Sequence, residues 1–156
     1  MQEIIIPGKQ TLHLEYLVCD VNGTLTLDGQ MIPDVKPALE ALKSKLEIYL
    51  LSADTFNRAD DIALRLGIHL YKITPGNEAL KKADYVNELG SERIVAIGQG
   101  ANDALMLKQA ALGICVLSTE GTAVATLVSA HLVVPDIMSA LALLQNPMRI
   151  AATLRE

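Results

Sequence analysis

The chain alternates short, continuous aliphatic runs with stretches in which apolar residues recur every three or four positions. Bounded apolar runs read as buried strands, and the longer spacing reads as amphipathic helix. Ile4, Ile5 and Ile6 predict a short strand, Pro7-Gly8 a turn, and residues 11–18 a longer run leading into Asp20. Asp28-Gly29, between Leu27 and Met31-Ile32, predicts a small hairpin or flap. Asp34 is placed to cap a helix that tolerates Pro37 in its first turn and turns Leu39, Leu42 and Leu46 to one face. Residues 48–51 form a second buried run, ending at Ser52-Ala53-Asp54. Thr55 then caps a helix with Ala59, Ile62, Ala63 and Leu66 inward and Gly67 as its stop. A short strand follows at 70–73, then a helix from an Asn77 cap to Leu89, stopped by Gly90. Residues 94–97 are a third clear strand, ending at Gly98-Gln99-Gly100, and Asn102-Asp103 opens the next helix. A strand at 114–117, a helix near 121–129, a strand at 132–134 and one or two terminal helices complete the pattern.

Strands that are aliphatic throughout, rather than alternating, are buried on both faces. Interleaved with helices, they predict an α/β fold with a mostly parallel central sheet and helices on both sides. Ligands in such folds bind outside the carboxyl ends of the strands. Three polar clusters fall at those ends: Asp20-Val21-Asn22, Ser52-Ala53-Asp54 and residues 98–103. Each alone reads as a loop; together on one rim they suggest a site.

Composition narrows the setting. At 156 residues and 51% apolar, the chain has enough material for one domain, 1–156, with a sizeable core. Aromatics make up 3% and Trp is absent, so that core is aliphatic. A formal charge of −5 argues against nucleic acid and anionic membrane as partners. The amino terminus has no basic-then-apolar leader, and the weakly polar stretch at 122–134 is too short to span a bilayer. These features predict a soluble, cytoplasmic chain. Cys19 and Cys115 lie inside apolar runs and read as reduced, buried residues. His13, His69 and His131 are scattered, with no metal-ligand spacing between them. The Leu-rich tail at 137–154 reads most simply as core helix.

The chemistry starts at Asp20. A carboxylate at the end of a buried strand, followed by Asn22-Gly23-Thr24, loses solvation in a sharp turn. That is either an ordinary Asx-type turn or a holder for a metal ion or phosphate. The remaining polar clusters favour the holder. Residues 20–26, the strand ending at Ser52-Ala53-Asp54, the helix segment 82–89 with Lys82, and residues 98–105 with Asp103 resemble, in order, the four motifs of the haloacid dehalogenase superfamily. The nearest branch is similar to the soluble proteins related to the phosphorylation domain of P-type ATPases. The resemblance covers residues 16–140 and implies a three-layer sandwich without a large cap domain.

The resemblance also implies roles. Asp20 would attack phosphorus and form an acyl phosphate. Mg²⁺ would be held by Asp20, the Asn22 carbonyl and the fourth-motif positions Gln99 and Asp103. Ser52 and the amide of Ala53 would hold a phosphoryl oxygen, Lys82 would neutralise charge, and Thr24 would orient the turn. Helix phase favours Lys82 over the adjacent Lys81. Asp54 either positions water or substrate or caps the next helix. The substrate would be a phosphorylated small molecule or protein.

Two positions depart from the family pattern. Asn22 stands where its phosphatases usually carry an Asp that shuttles the leaving-group proton, a service typically worth about 10²- to 10⁴-fold. P-type ATPases also lack that Asp. Gln99 stands where a charged Mg²⁺ ligand is usual, so metal affinity is expected to be weaker. The resemblance therefore implies a phosphohydrolase slow on ordinary phosphomonoesters or, in a different class, a weakened module that binds phosphate or a partner protein. Only about thirty residues separate Asp20 from Ser52. Neither a large cap nor the nucleotide-binding domain of an ion pump fits there, so the site is expected to be open unless a neighbouring subunit of an oligomer covers it.

Overall fold

A computed structural model of the chain describes residues 1–54 and 57–156. Its strands are β1 (Gln2–Ile4), β2 (Leu12–Leu14), β3 (Tyr16–Asp20), β4 (Thr26–Leu27), β5 (Gln30–Met31), β6 (Glu47–Ser52), β7 (His69–Lys72), β8 (Ile94–Gly98), β9 (Leu112–Val116) and β10 (Leu132–Val134). The helices are α1 (Val35–Leu42), α2 (Arg58–Leu66), α3 (Glu78–Leu89), α4 (Ala104–Gln109), α5 (Val124–Ser129), α6 (Ile137–Gln145) and α7 (Pro147–Leu154), with 3₁₀ turns at Ser91–Arg93 and Ala101–Asp103.

Six strands form one parallel sheet in the order β10-β9-β8-β3-β6-β7. The central strand β3 pairs with β6 on one side and β8 on the other. Alternation along each strand then splits the core. Leu17 and Cys19 of β3 and Val95 and Ile97 of β8 pack with α1, α2, α6 and α7. Val18, Ala96 and Leu51 turn to the opposite face, against Val86 of α3 and Met106 and Leu107 of α4. The result is the expected three-layer α/β sandwich, with no large cap domain among the described residues.

The structure departs from the sequence reading in several places. Residues 11–18 are not one strand. Their first part, β2, pairs antiparallel with β1 in a separate hairpin, and β3 begins afresh at Tyr16. Thr11, His13 and Glu15 alternate with Leu12 and Leu14, the pattern of a strand exposed on one face, and the continuous apolar run starts only at Tyr16. Asp34 and Asn77 do stand at the starts of α1 and α3, but neither side chain makes a capping bond. Both have left-handed backbones, at φ 66° and 56°, whereas a capping side chain needs the extended conformation to reach the first-turn amides. Thr55 as a cap lies outside the described residues. The predicted flap is present as β4 and β5, joined through Asp28 and Gly29 at φ 50° and 78°. The two free cysteines are buried in the core.

Candidate active site

Strand alternation places Asp20 on the same face as Val18, toward α3. There the α3 residue Lys82 reaches it: Lys82 Nζ donates to Asp20 Oδ1 at 2.7 Å and to Asp103 Oδ1 at 2.7 Å. The ammonium also donates to Asn102 Oδ1 at 3.3 Å. Lys82 and Asp103 are fully enclosed and Asp20 is 6% exposed. Lys81, one residue away, points outward to Thr74 and Pro75. Helix phase alone made that choice legible.

The turn after β3 is drawn together by one carbonyl. The amides of Thr24, Leu25 and Thr26 all donate to Val21 O, at 3.2, 2.9 and 3.2 Å. This fold-back aims the Thr24 hydroxyl at Asp20 Oδ2, 3.0 Å away. At the end of β8, the Asp103 carboxylate occupies the space a side chain at position 98 would need, so only glycine fits at Gly98. Asp103 Oδ2 then accepts from the amides of Gln99 and Gly100, both at 3.0 Å. The buried Thr126 hydroxyl donates to Gly100 O at 2.6 Å and braces this loop from α5.

Ser52 is buried at the end of β6, beside the β3 terminus, and its Oγ accepts from the Asp54 amide at 3.0 Å. Ala53 is half-buried. Asp54 Oδ2 accepts from the Ala59 amide at 3.0 Å, so it does bind the first turn of α2. The same residue also lines a cleft of about 370 Å³ with Asn22, Thr26, Asp28, Gly29, Arg58 and Glu120. Asn22 is exposed and Gln99 half-buried. The Gln99 side-chain amide lies directly over Gly23, where any Cβ would overlap it.

Electrostatics follow from the enclosure. Burial, with the Asp103 charge beside it, pushes the Asp20 carboxyl up to about 6, while Lys82 and Thr24 pull the other way. Burial works against the Lys82 charge, but Asp20 and Asp103 outweigh it and hold the ammonium above its ordinary value. Burial and the Asp20 charge also push the Cys19 thiol up, leaving it an inert neighbour. Among the described residues, no group of three or more His, Cys, Asp or Glu stands close enough together to hold a metal ion.

Asp20, Thr24, Lys82 and Asp103 are thus joined in one hydrogen-bonded cluster, with Ser52 at the neighbouring strand end and Asn22 and Gln99 on the rim. Sequence reasoning gave no site role to Asn102, Arg58, Glu120 or Thr126. Asn102 sits inside the fourth motif and could have been found there. The others come from separate elements whose approach no local pattern announces.

A family model described as haloacid dehalogenase-like hydrolase matches residues 2–111. An uncharacterized protein of Methanocaldococcus jannaschii is 46% identical over 85 residues, which are 52% of this chain and 91% of that protein. A probable copper-exporting P-type ATPase of Archaeoglobus fulgidus is 31% identical over 108 residues, 67% of this chain but 13% of the ATPase. Among solved structures, a 3-deoxy-D-manno-octulosonate 8-phosphate phosphatase from Moraxella catarrhalis, in complex with magnesium ion, phosphate ion and KDO, superposes with a TM-score of 0.67. That match has 20% identity and covers 92% of this chain and 94% of the phosphatase, a likeness of fold.

Proposed function

The chain belongs to the haloacid dehalogenase-like hydrolases, and on that footing we propose a Mg²⁺-dependent phosphohydrolase that works through an aspartyl phosphate on Asp20 and is slow on ordinary phosphomonoesters. The observation that carries this reading is the buried Lys82, 2.7 Å from both Asp20 and Asp103 at the carboxyl rim of the sheet. An enclosed ion triad is costly to fold around, and apolar residues of similar volume would often serve stability as well. Handling a phosphoryl group gives a reason to keep it.

In the proposed reaction a carboxylate oxygen of Asp20 attacks phosphorus, and the bond to the leaving oxygen breaks with its electron pair on that oxygen. The proton it needs comes from solvent, because the Asn22 amide has none to give. Water then attacks the acyl phosphate, releasing inorganic phosphate and restoring Asp20. Ser52 and the Ala53 amide hold a phosphoryl oxygen, Lys82 balances charge on nucleophile and phosphate, and Thr24 fixes the carboxylate rotamer. Good leaving groups, as in acyl or nitrophenyl phosphates, suit such a site better than alkyl esters. The natural substrate is a phosphorylated small molecule or protein.

The residues present fit a hard cation in part. Asp20 Oδ2 accepts from Thr24 and has a second acceptor direction, and the Asn22 carbonyl follows two residues on. Both Asp103 oxygens are already engaged, by Lys82 and by two amides, which suits contact through a water. Gln99 offers a neutral amide oxygen at most. When bound, Mg²⁺ would supply charge neutralisation on the phosphoryl oxygens.

A second reading, a weakened module that binds phosphate or a partner protein, is favoured by one observation: the Gln99 side chain is packed over Gly23, at the position where the family usually has a charged ligand. Hydrolysis of nitrophenyl phosphate with and without Mg²⁺, in the wild type and in Asp20→Asn, separates the two. Metal-dependent turnover lost in Asp20→Asn supports the enzyme. No turnover, no Mg²⁺ binding by calorimetry and no stabilisation by beryllofluoride support the module.

A further inference from the structure

Beside the Asp20 cluster lies an open groove of about 800 Å³ between the β4–β5 hairpin and α2, lined in part by Asp28, Gly29, Met31, Arg58, Ile62 and Arg65. That volume lies within the ~300–1,000 Å³ typical of small-molecule sites. The groove shares Asp28, Gly29 and Arg58 with the smaller cleft that contains Asn22, two residues past Asp20. Arg58 therefore stands where the rim of the cluster opens into the groove.

The cations here differ in what they already hold. Lys82 is shared between two carboxylates, and Arg65 pairs with Asp61 at 3.0 Å. Among the described residues Arg58 has neither an ion pair nor a side-chain hydrogen bond. Its guanidinium instead lies against the hairpin turn, where a Cβ on Gly29 would come within 2.8 Å of Nη1. The glycine leaves room for it. Asp28, Asp54 and Glu120 line the same cleft and weigh against an anion in it, so among the described lining residues Arg58 is the one that attracts it. The planar fork of arginine matches carboxylate and phosphate alike.

We infer that this groove receives the part of the substrate beyond its phosphate, and that Arg58 selects phosphate esters carrying a second anionic group, a carboxylate or a second phosphate. The inference rests on the phosphoryl-transfer reading above and adds a substrate class to it.

The test uses two ligand pairs whose members differ only by a carboxylate in place of a hydroxymethyl group: 3-phosphoglycerate against glycerol 3-phosphate, and 6-phosphogluconate against sorbitol 6-phosphate. Calorimetry with Mg²⁺ reads binding whether or not turnover occurs. In at least one pair the acid is expected to bind about tenfold more tightly or better. Arg58→Ala should erase that preference, Arg58→Lys should keep part of it, and both variants should unfold at the wild-type midpoint. Equal binding within both pairs, no binding of any of the four, or a preference that survives Arg58→Ala overturns the subsite. Labelling of wild-type Asp20 by acetyl phosphate is measured alongside. Label without an acid preference sinks the subsite alone, whereas absence of label sinks the phosphoryl-transfer reading beneath it.

Discussion

The floor and the rim of the candidate site obey different rules. On the floor, Asp20, Thr24, Ser52, Lys82 and Asp103 are all 6% exposed or less, and each has at least one hydrogen-bond partner. On the rim, Asn22 and Glu120 are exposed and Gln99 is half-buried. Both departures from the resembled motifs, Asn22 and Gln99, fall on the rim, and none falls on the floor. The contrast has a physical cause. Lys82, Asp20 or Asp103 cannot change without unbalancing a buried charge cluster, because one ammonium is shared between two carboxylates. A rim residue can exchange a carboxylate for an amide at small cost, since solvent covers the difference. On the proposed reading, the floor carries the nucleophile and its charge partner, and the two departures touch the proton shuttle and one metal ligand on the rim.

The largest test of the floor is Lys82→Met. It leaves Asp20 and Asp103 enclosed together without a counter-charge, and a loss of about 3–5 kcal/mol in unfolding free energy is expected by urea titration. A loss under about 1 kcal/mol, the range of exposed pairs, would erase the distinction between floor and rim. On the rim, Asn22→Asp should leave stability nearly unchanged. It should raise turnover of alkyl phosphates by at least about 10²-fold, and of nitrophenyl phosphate by much less, because only the former needs a proton on its leaving oxygen. Gln99→Asp comes next: Mg²⁺ affinity by calorimetry should rise, and the two rim changes together should not simply add. Unchanged affinity would place Gln99 outside the metal's reach.

Acidity sharpens the comparison further. On the proposed mechanism Asp20 must be ionised to attack, so the initial rate of its phosphorylation should climb with pH, with a midpoint below the metal-free value of about 6 because a bound cation favours the carboxylate. Its folded pKa lies above the unfolded value of about 3.9, so the native state binds more protons between those pH values. Asp20 therefore costs stability as pH rises through that window. The smallest effect lies far from the site. His131 Nδ1 accepts from the Gly113 amide at 2.8 Å, and desolvation, with the Lys9 charge, holds the ring below its ordinary pKa. The unfolded chain then binds more protons below about pH 6.5, so His131 removes stability as pH falls from there to its lower folded pKa. Denaturant midpoints at pH 7.5 and 5.5 should differ less in His131→Asn than in the wild type.

Much of this was legible in the order of residues, for reasons that differ by region. The sheet was legible because a parallel strand buried on both faces must be apolar along its length, as residues 17–19 and 94–97 are. The choice of Lys82 over Lys81 was legible because helix phase is local. The break between β2 and β3 is marked as well, by the alternation of Thr11, His13 and Glu15 with Leu12 and Leu14, but reading residues 11–18 as one run passed over it. The caps were misjudged at Asp34 and Asn77 because residue type signals a helix start but not the backbone conformation there. Arg58 and Glu120 were given no site role because they reach the cleft from loops and helix ends brought together only by folding.

The central claim is that Asp20 accepts a phosphoryl group, and covalent labelling tests it most directly. The protein is incubated with radiolabelled acetyl phosphate, with and without Mg²⁺, quenched in acid, and digested for peptide mapping. The account predicts a Mg²⁺-dependent label on the peptide containing Asp20, removed by hydroxylamine as an acyl phosphate should be, and absent from Asp20→Asn. A label that persists in Asp20→Asn, or a wild-type protein that takes up none while binding Mg²⁺, would contradict it.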